Sequence, residues 1–239
     1  MLANDPNNPP QIGALNQDVQ KPATFRHELI DFIADELPRW RDRPDRKAER
    51  SETVLTSQLC AHLNSVARHS PGWDVLQFRV EEPDEQTRGR KIDLVASPSG
   101  AAIIIEGRRH VDFDSLMPIE CKRLPTPNGA DRDEREYVIN RRSTTGGIQR
   151  FKAGHHGAAH KFGAMIAYIQ QENSEFWNTR VAEWVNGLIA CGEQGWTAKD
   201  LLHLEQDDST RQVAILSSFH TREKGLSEIE LRHLWIKMN

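Results

Sequence analysis

With 239 residues, 37% of them apolar and 28% charged, the chain can bury one sizeable core, and its composition excludes fibrous and disordered classes. No stretch nears the ~20 apolar residues of a membrane span. The longest apolar runs are "AAIII" (101–105) and "AMIAYI" (164–169), and the start has no basic-then-apolar leader, so the expectation is a cytoplasmic protein with no membrane contact. Thirty-one basic against 35 acidic residues give a net charge of −4, which excludes global attraction to a polyanion and confines any nucleic-acid site to a local patch.

Residues 1–22 hold four of the twelve prolines among Asn, Gln and Asp and are expected to form a flexible arm; 23–239 are expected to form a single domain. Phe25, Leu29, Phe32, Ile33 and Leu37 recur at helical spacing until Pro38. The mixed-charge connector "RWRDRPDRKAER" after it reads as solvated, with Arg41, Arg43 and Arg46 assigned to solvent. A second helix starts after Ser51 as N-cap, with Val54, Leu55, Leu59, Leu63 and Val66 as its stripe, and "HSPGW" stops it. Then "WDVLQFRV", "RKIDLVAS", "AAIIIEG" and "MPIECKRL" have strand lengths and patterns.

The polar stretch 125–147 reads as an exposed loop, "AMIAYIQ" as a buried strand, and 174–190 as a helix with Phe176, Val181, Trp184, Val185 and Leu188 on one side. Two β-like runs around "EKG" close the chain as a C-terminal hairpin. Cys60, Cys121 and Cys191 form no CxxC pair and read as free thiols of a reducing compartment. This order predicts one α/β domain, a central mixed β-sheet flanked by helices.

Within it, Glu120 and Lys122 are two apart on a strand and share a face. Asp93 sits on an apolar-flanked strand of the same sheet and brings a second carboxylate within reach. Two carboxylates and a lysine suit a hard divalent cation, the acids supplying oxygen ligands and the amine positioning the attacking water. The competing reading of Glu120 and Lys122 is a charge pair on a solvated sheet face.

At Asp93 and "PIECKRL" the sequence resembles the PD-(D/E)XK nuclease superfamily, over about residues 51–170. The resemblance implies a restriction-endonuclease-like fold and a metal-dependent nuclease using Mg²⁺, with Mn²⁺ as substitute, on nucleic acid, in first place DNA. Asp93 and Glu120 are then the metal ligands, Lys122 orients the water, and Glu52 is the helical carboxylate, with Glu49 its competitor. Gln149 fits the position of a residue on the following helix, and Arg141, Arg142, Arg150, Lys152 and Lys161 are the bases for the nucleic-acid backbone. Ile92 stands where the motif's proline belongs, and Asp112 and Asp114 rival Asp93 because an extra strand-like run separates the motif strands.

Stand-alone members of this superfamily serve restriction, repair or antiphage defence, which implies a homo-oligomer or a partner protein. A non-catalytic nucleic-acid-binding or assembly module of the same fold is the alternative. A metal- or small-molecule-binding protein built on His155, His156 and His160 is a further one, since His156 and His160 would lie one turn apart on a helix, although the surrounding glycines oppose helix formation.

Overall fold

The computed structural model describes residues 18–84, 89–130, 132–223 and 225–238. Most of the arm expected over 1–22 lies outside the described residues. Its end does not behave as an arm, because β1 (Val19–Lys21) pairs in parallel with β4 (Ile103–Ile105), which pairs in turn with β5 (Arg108–His110) in a small three-stranded sheet.

Helix α1 (Phe25–Arg41) runs through Pro38 instead of stopping there. Proline removes one helical hydrogen bond. The turn is held from outside the helix: Trp40 is buried, and the buried Arg41 guanidinium donates to the backbone carbonyls of Arg211 and Lys237. Arg41 is therefore a structural clamp rather than a solvated base.

Helix α2 (Glu52–Ala67) follows after Ser51, whose side chain makes no cap bond, and it buries Leu55, Leu59 and Leu63 while Val54 stays 39% exposed. The main sheet has seven strands in the order β2 (Leu76–Pro83), β3 (Lys91–Pro98), β6 (Met117–Leu124), β7 (Phe162–Ile169), β10 (Ile229–Lys237), β9 (Val213–His220) and β8 (His203–Asp208). The β6–β7 and β7–β10 pairs are parallel and the rest antiparallel, which makes the sheet mixed. Side chains alternate between its faces. Ile119, Cys121, Ile166 and Tyr168 face the core that holds α1 and α2, whereas Leu124, Met165, Ala167 and Ile169 face α3 (Gly147–Lys152) and α4 (Ser174–Ala190). Strand β7 is buried along its whole length because both faces are covered.

The exposed loop expected over 125–147 is packed instead. Tyr137 and Val138 are fully buried, and the backbone N–H groups of Gly147, Ile148 and Gln149 donate to the carbonyls of Glu136, Tyr137 and Val138. A Cβ on Gly146 would lie 2.4 Å from the Ile139 Cα, and one on Gly147 would lie 2.7 Å from the Tyr137 carbonyl oxygen, so only glycine permits this approach. The α4 stripe uses Trp177 where Phe176 was expected; Phe176 is 45% exposed. Strands β5 and β8 had no legible apolar pattern, and every residue of β8 but its last is exposed.

Candidate functional site

The site arises where β3 and β6 part. Strand β3 pairs with β6 only from Leu94–Ala96 to Met117–Ile119, but β6 stays paired with β7 as far as Leu124. Beyond Ile119 the β6 edge that faced β3 has lost its strand partner, and buried N–H groups left there need other acceptors. Two carboxylates provide them. The Cys121 N–H donates to Asp93 Oδ2 at 2.9 Å, and the Arg123 N–H donates to Glu52 Oε2 at 3.0 Å.

Between these acids lies Lys122. Its Nζ stands 2.7 Å from Glu120 Oε1, 3.4 Å from Glu52 Oε1 and 3.7 Å from Asp93 Oδ2, and it donates to the Cys121 carbonyl at 3.1 Å. Three carboxylates carried by α2, β3 and β6 thus converge on one ammonium group. A Cβ on Gly147 would lie 3.6 Å from the Lys122 Cγ, which shows that the start of α3 packs on the lysine stem.

Glu120 is fully buried and is the hub of a second shell of contacts. Arg150 Nη1 donates to its Oε1 at 2.5 Å, and His156 Nδ1 lies 2.9 Å from its Oε2 without the alignment of a hydrogen bond, so Oε2 accepts none among the described residues. His156 was singled out only as part of a histidine cluster. Gly154 and Gly157 take positive φ of 67° and 60° around it, which removes the helix that would have put His156 and His160 one turn apart and turns His156 inward instead.

The charges decide the protonation states. Burial pushes the Asp93 carboxyl up to about 7, the neighbouring Glu120 charge adds to this, and Lys122 only partly opposes it. Burial would raise Glu120 too, but Lys122, His156 and Arg150 outweigh it and hold Glu120 well below the usual carboxylate range. Lys122 is held far above the usual lysine range, because Glu120, Glu52 and Asp93 outweigh its desolvation. The amine is an ammonium donor here, not a base.

The rival residues fall elsewhere. Glu49 Oε1 accepts from the backbone N–H groups of Arg50 and Ser51, within its own turn. Asp112 accepts from the Gly100 N–H and Asp114 from the Val111 N–H, so both serve turns of the 99–114 region. Gln149 Oε1 caps the start of α3 by accepting from Asn140 and Gly146 N–H groups. Arg141 and Arg142 are exposed; Arg141 reaches Cys191 and Glu193 at the end of α4, and Arg142 donates to the Ala130 carbonyl.

Lys152 does not join the cluster, contrary to its expected place beside Arg150. It is buried, pairs with Asp200 and lies 4.9 Å over the Trp196 ring. From Asp200 a buried chain runs through His220 Nδ1 at 2.5 Å, His220 Nε2 to Ser218 Oγ at 2.7 Å, Ser218 Oγ to His233 Nε2 at 2.7 Å and His233 Nδ1 to Tyr137 Oη at 2.7 Å. Trp235 Nε1 closes it by donating to Tyr137 Oη at 2.8 Å. Sequence reading had no signal for this network, since its members are scattered from residue 137 to residue 235.

Among the described residues no three or more His, Cys, Asp or Glu side chains are already arranged around a metal-sized point. The donor set nevertheless suits a hard cation in chemistry: three carboxylates face two permanent positive charges, burial and the Glu120 charge drive Asp93 towards its neutral form, and the buried Glu120 Oε2 has only His156 Nδ1, at 2.9 Å, beside it. No protein-family model matches the chain, and no curated protein or solved structure matches it either. No described helix is long and apolar enough to cross a membrane.

Proposed function

We propose that the protein is a metal-dependent nuclease that hydrolyses phosphodiester bonds, with DNA as its first-ranked substrate, and that it resembles the PD-(D/E)XK superfamily in its site and in its sheet. The observation that carries this reading is the convergence of Glu52, Asp93 and Glu120 within 4 Å of Lys122 Nζ, at the point where two adjacent strands separate. The Asp, acidic-x-Lys and helical Glu positions, far apart in the chain, meet there. Residues whose only task was to decorate a solvated sheet face would not be gathered from three elements into a half-buried cluster.

In this reading Asp93 and Glu120 hold one or two Mg²⁺ ions, and Glu52 supports the metal or its water. Such an ion polarises a phosphoryl oxygen and lowers the pKa of bound water. Lys122, fixed as an ammonium, donates hydrogen bonds to the attacking water or to a phosphate oxygen. Arg150 meets the same Glu120 oxygen as Lys122 and adds to Lys122 and His156 in keeping that buried carboxylate ionised. Arg141, Arg142 and Lys161 are the exposed bases left for the phosphate backbone.

A second reading has its own support: Asp93 and Glu52 both accept backbone N–H groups of β6, as expected if they only cap a sheet edge in a non-catalytic nucleic-acid-binding or assembly module. One experiment separates the two. Purified protein is incubated with plasmid, linear and single-stranded DNA and with RNA, in Mg²⁺, Mn²⁺ or EDTA. Cleavage that needs the divalent ion and disappears in Lys122→Ala supports the nuclease; binding without cleavage under all conditions sinks it.

A further inference from the structure

Strand β2 carries a break in its geometry opposite the carboxylate cluster. Val80 pairs with Leu94 and Glu82 with Ile92, so the antiparallel register sets Glu81 directly against Asp93 with no residue inserted in either strand. The ladder nevertheless skips that one pair. Glu81 takes a φ of 55°, in the left-handed region, while its neighbours on both sides stay in the strand. A β-strand has no need of such a residue, and a glutamate adopts the conformation at a cost because its Cβ crowds the following carbonyl.

The place of the break gives it a meaning. Strand β3 pairs with β6 over Leu94–Ala96, and Asp93 is the first residue beyond that contact, although β3 stays on β2 as far as Lys91. A strand that parts from one neighbour while held by the other must bend, and the neighbour that holds it must bend with it. Glu81 lies at that bend.

The break also moves a charge. In a regular antiparallel pair the side chains of Glu81 and Asp93 would share one face with Cβ atoms about 4.5–5.5 Å apart, and like charges directly opposite are unfavourable. Glu81 would then be a fourth carboxylate at the cluster. Instead it is half-exposed and its Oε2 lies 3.0 Å from Lys91 Nζ, while Asp93 Oδ2 accepts the Cys121 N–H at 2.9 Å.

We propose that Glu81 is a positioning residue for Asp93: its left-handed backbone breaks the β2 ladder at the branch point and so lets the Asp93 carboxylate meet the Cys121 N–H and the Lys122 ammonium. Strain of this kind persists where the surrounding structure over-determines it, and it clusters at functional sites. Glu81 acts through Asp93 and touches no reacting group. Its effect on metal binding rests on the nuclease reading, whereas the placement of Asp93 does not. Because the backbone does the positioning, glycine and asparagine, which enter this region readily, should replace Glu81, and valine, whose branched Cβ opposes it, should not.

The test uses the full chain with Glu81→Gly, Glu81→Asn, Glu81→Ala and Glu81→Val. Hydrogen exchange of the Cys121 amide is followed by NMR in EDTA, and Mn²⁺ affinity by titration calorimetry. Glu81→Val should speed Cys121 exchange about tenfold without speeding that of Ile166 in the central strand β7, which separates a local shift from general destabilisation. It should weaken Mn²⁺ binding about 10- to 100-fold, the usual effect of disturbing what holds a metal ligand. Glu81→Gly and Glu81→Asn should leave both readouts near wild type. Glu81→Gly should also melt above Glu81→Ala, the reverse of their order in an ordinary strand, because glycine alone relieves the left-handed turn.

A folded Glu81→Val chain whose Cys121 amide exchanges at the wild-type rate overturns the proposal. So does a Glu81→Gly chain that loses as much protection as Glu81→Val, since the effect would then belong to the side chain. If Glu81→Val does not fold, the melting comparison decides, and Glu81→Ala above Glu81→Gly overturns the proposal. Faster Cys121 exchange in Glu81→Val, together with no Mn²⁺ binding by the wild-type chain, upholds the positioning of Asp93 and removes the metal from the site, so the two readings fail separately.

Discussion

Two buried polar clusters stand on the α3 side of the same sheet, and they are built in opposite ways. In the Asp200–His220–Ser218–His233–Tyr137 chain every internal link is a short hydrogen bond, and each member but Asp200 and Lys152 is uncharged at neutral pH, because burial holds His233 well below and His220 below the usual histidine range. In the cluster around Lys122, three acids share two cations, Asp93 is pushed to about 7, and Glu52 and Asp93 keep about a quarter of their side-chain surface exposed. The first region is satisfied and closed; the second is charged, frustrated and open to solvent. A network that completes its own hydrogen bonds stabilises a fold, whereas one left short of positive charge at a surface is prepared for a ligand.

The largest expected effect is on chemistry. Lys122→Ala should reduce cleavage on the order of 100-fold or more, the usual result of removing one donor aimed at developing charge. Because Lys122 is 5% exposed and faces a fully buried Glu120, it should also lower thermal stability, which melting curves measure alongside cleavage. Unchanged cleavage by the folded variant would erase the difference between the two regions.

Asp200→Ala should show the reverse pattern. It leaves Lys152 buried without its partner and should cost about 3–5 kcal/mol in urea unfolding. Cleavage per folded molecule should match the wild-type chain. A variant that loses cleavage without losing stability would instead join this network to the site.

The regions should also respond to pH with opposite signs, in EDTA. Folded Asp93 keeps its proton to about 7, while the unfolded chain releases it near 3.8; in between the folded state binds more protons, so this group's stabilisation is lost as pH rises from about 4 to about 7. His233 is depressed below 6.5, so the unfolded state binds more protons there and its stabilisation is lost as pH falls below about 6.5. Unfolding free energies at pH 5 to 8 should show Asp93→Asn removing the loss on the alkaline side, worth a few kcal/mol. His233→Gln should flatten the acid side. If Asp93→Asn leaves the alkaline slope intact, Asp93 is ionised throughout and the frustration assigned to it is absent.

Tyr137→Phe is a smaller perturbation. It deprives Trp235 Nε1 and His233 Nδ1 of their shared partner at about 1–3 kcal/mol, with cleavage unchanged. The smallest effects belong to the exposed bases. Arg142→Gln should reduce the log–log salt slope of duplex DNA binding by about one, measured by anisotropy in EDTA, while Lys152→Gln should leave it unchanged because that amine faces Asp200. An equal flattening by both would place Lys152 on the DNA path after all.

By itself the sequence determined the types of the longer elements, though not of β5, β8 or the short α3, and the pairing of Glu120 with Lys122 on one strand face, because side-chain alternation and helical periodicity are local properties of the chain. It also supplied Asp93 as a second carboxylate through its apolar strand flanks, while Glu52 came only as what the resemblance to the PD-(D/E)XK superfamily implies. What it left open was settled by contacts between distant segments. Glu49, Asp112 and Asp114 were as acidic as the residues that reach Lys122, and only the parting of β3 from β6 beyond Ile119 decides which carboxylates meet it. Pro38 reads as a helix end, but Arg41 is anchored by carbonyls of Arg211 and Lys237, residues about 170 to 200 positions away. Tyr137 and Val138 sit in a polar stretch and are nevertheless core, because Gly146 and Gly147 let α3 press against them. The inward turn of His156 and the chain from Asp200 to Trp235 have the same origin: hydrogen bonds and charge pairs act over a few ångströms in space, and a sequence records spacing only along the chain.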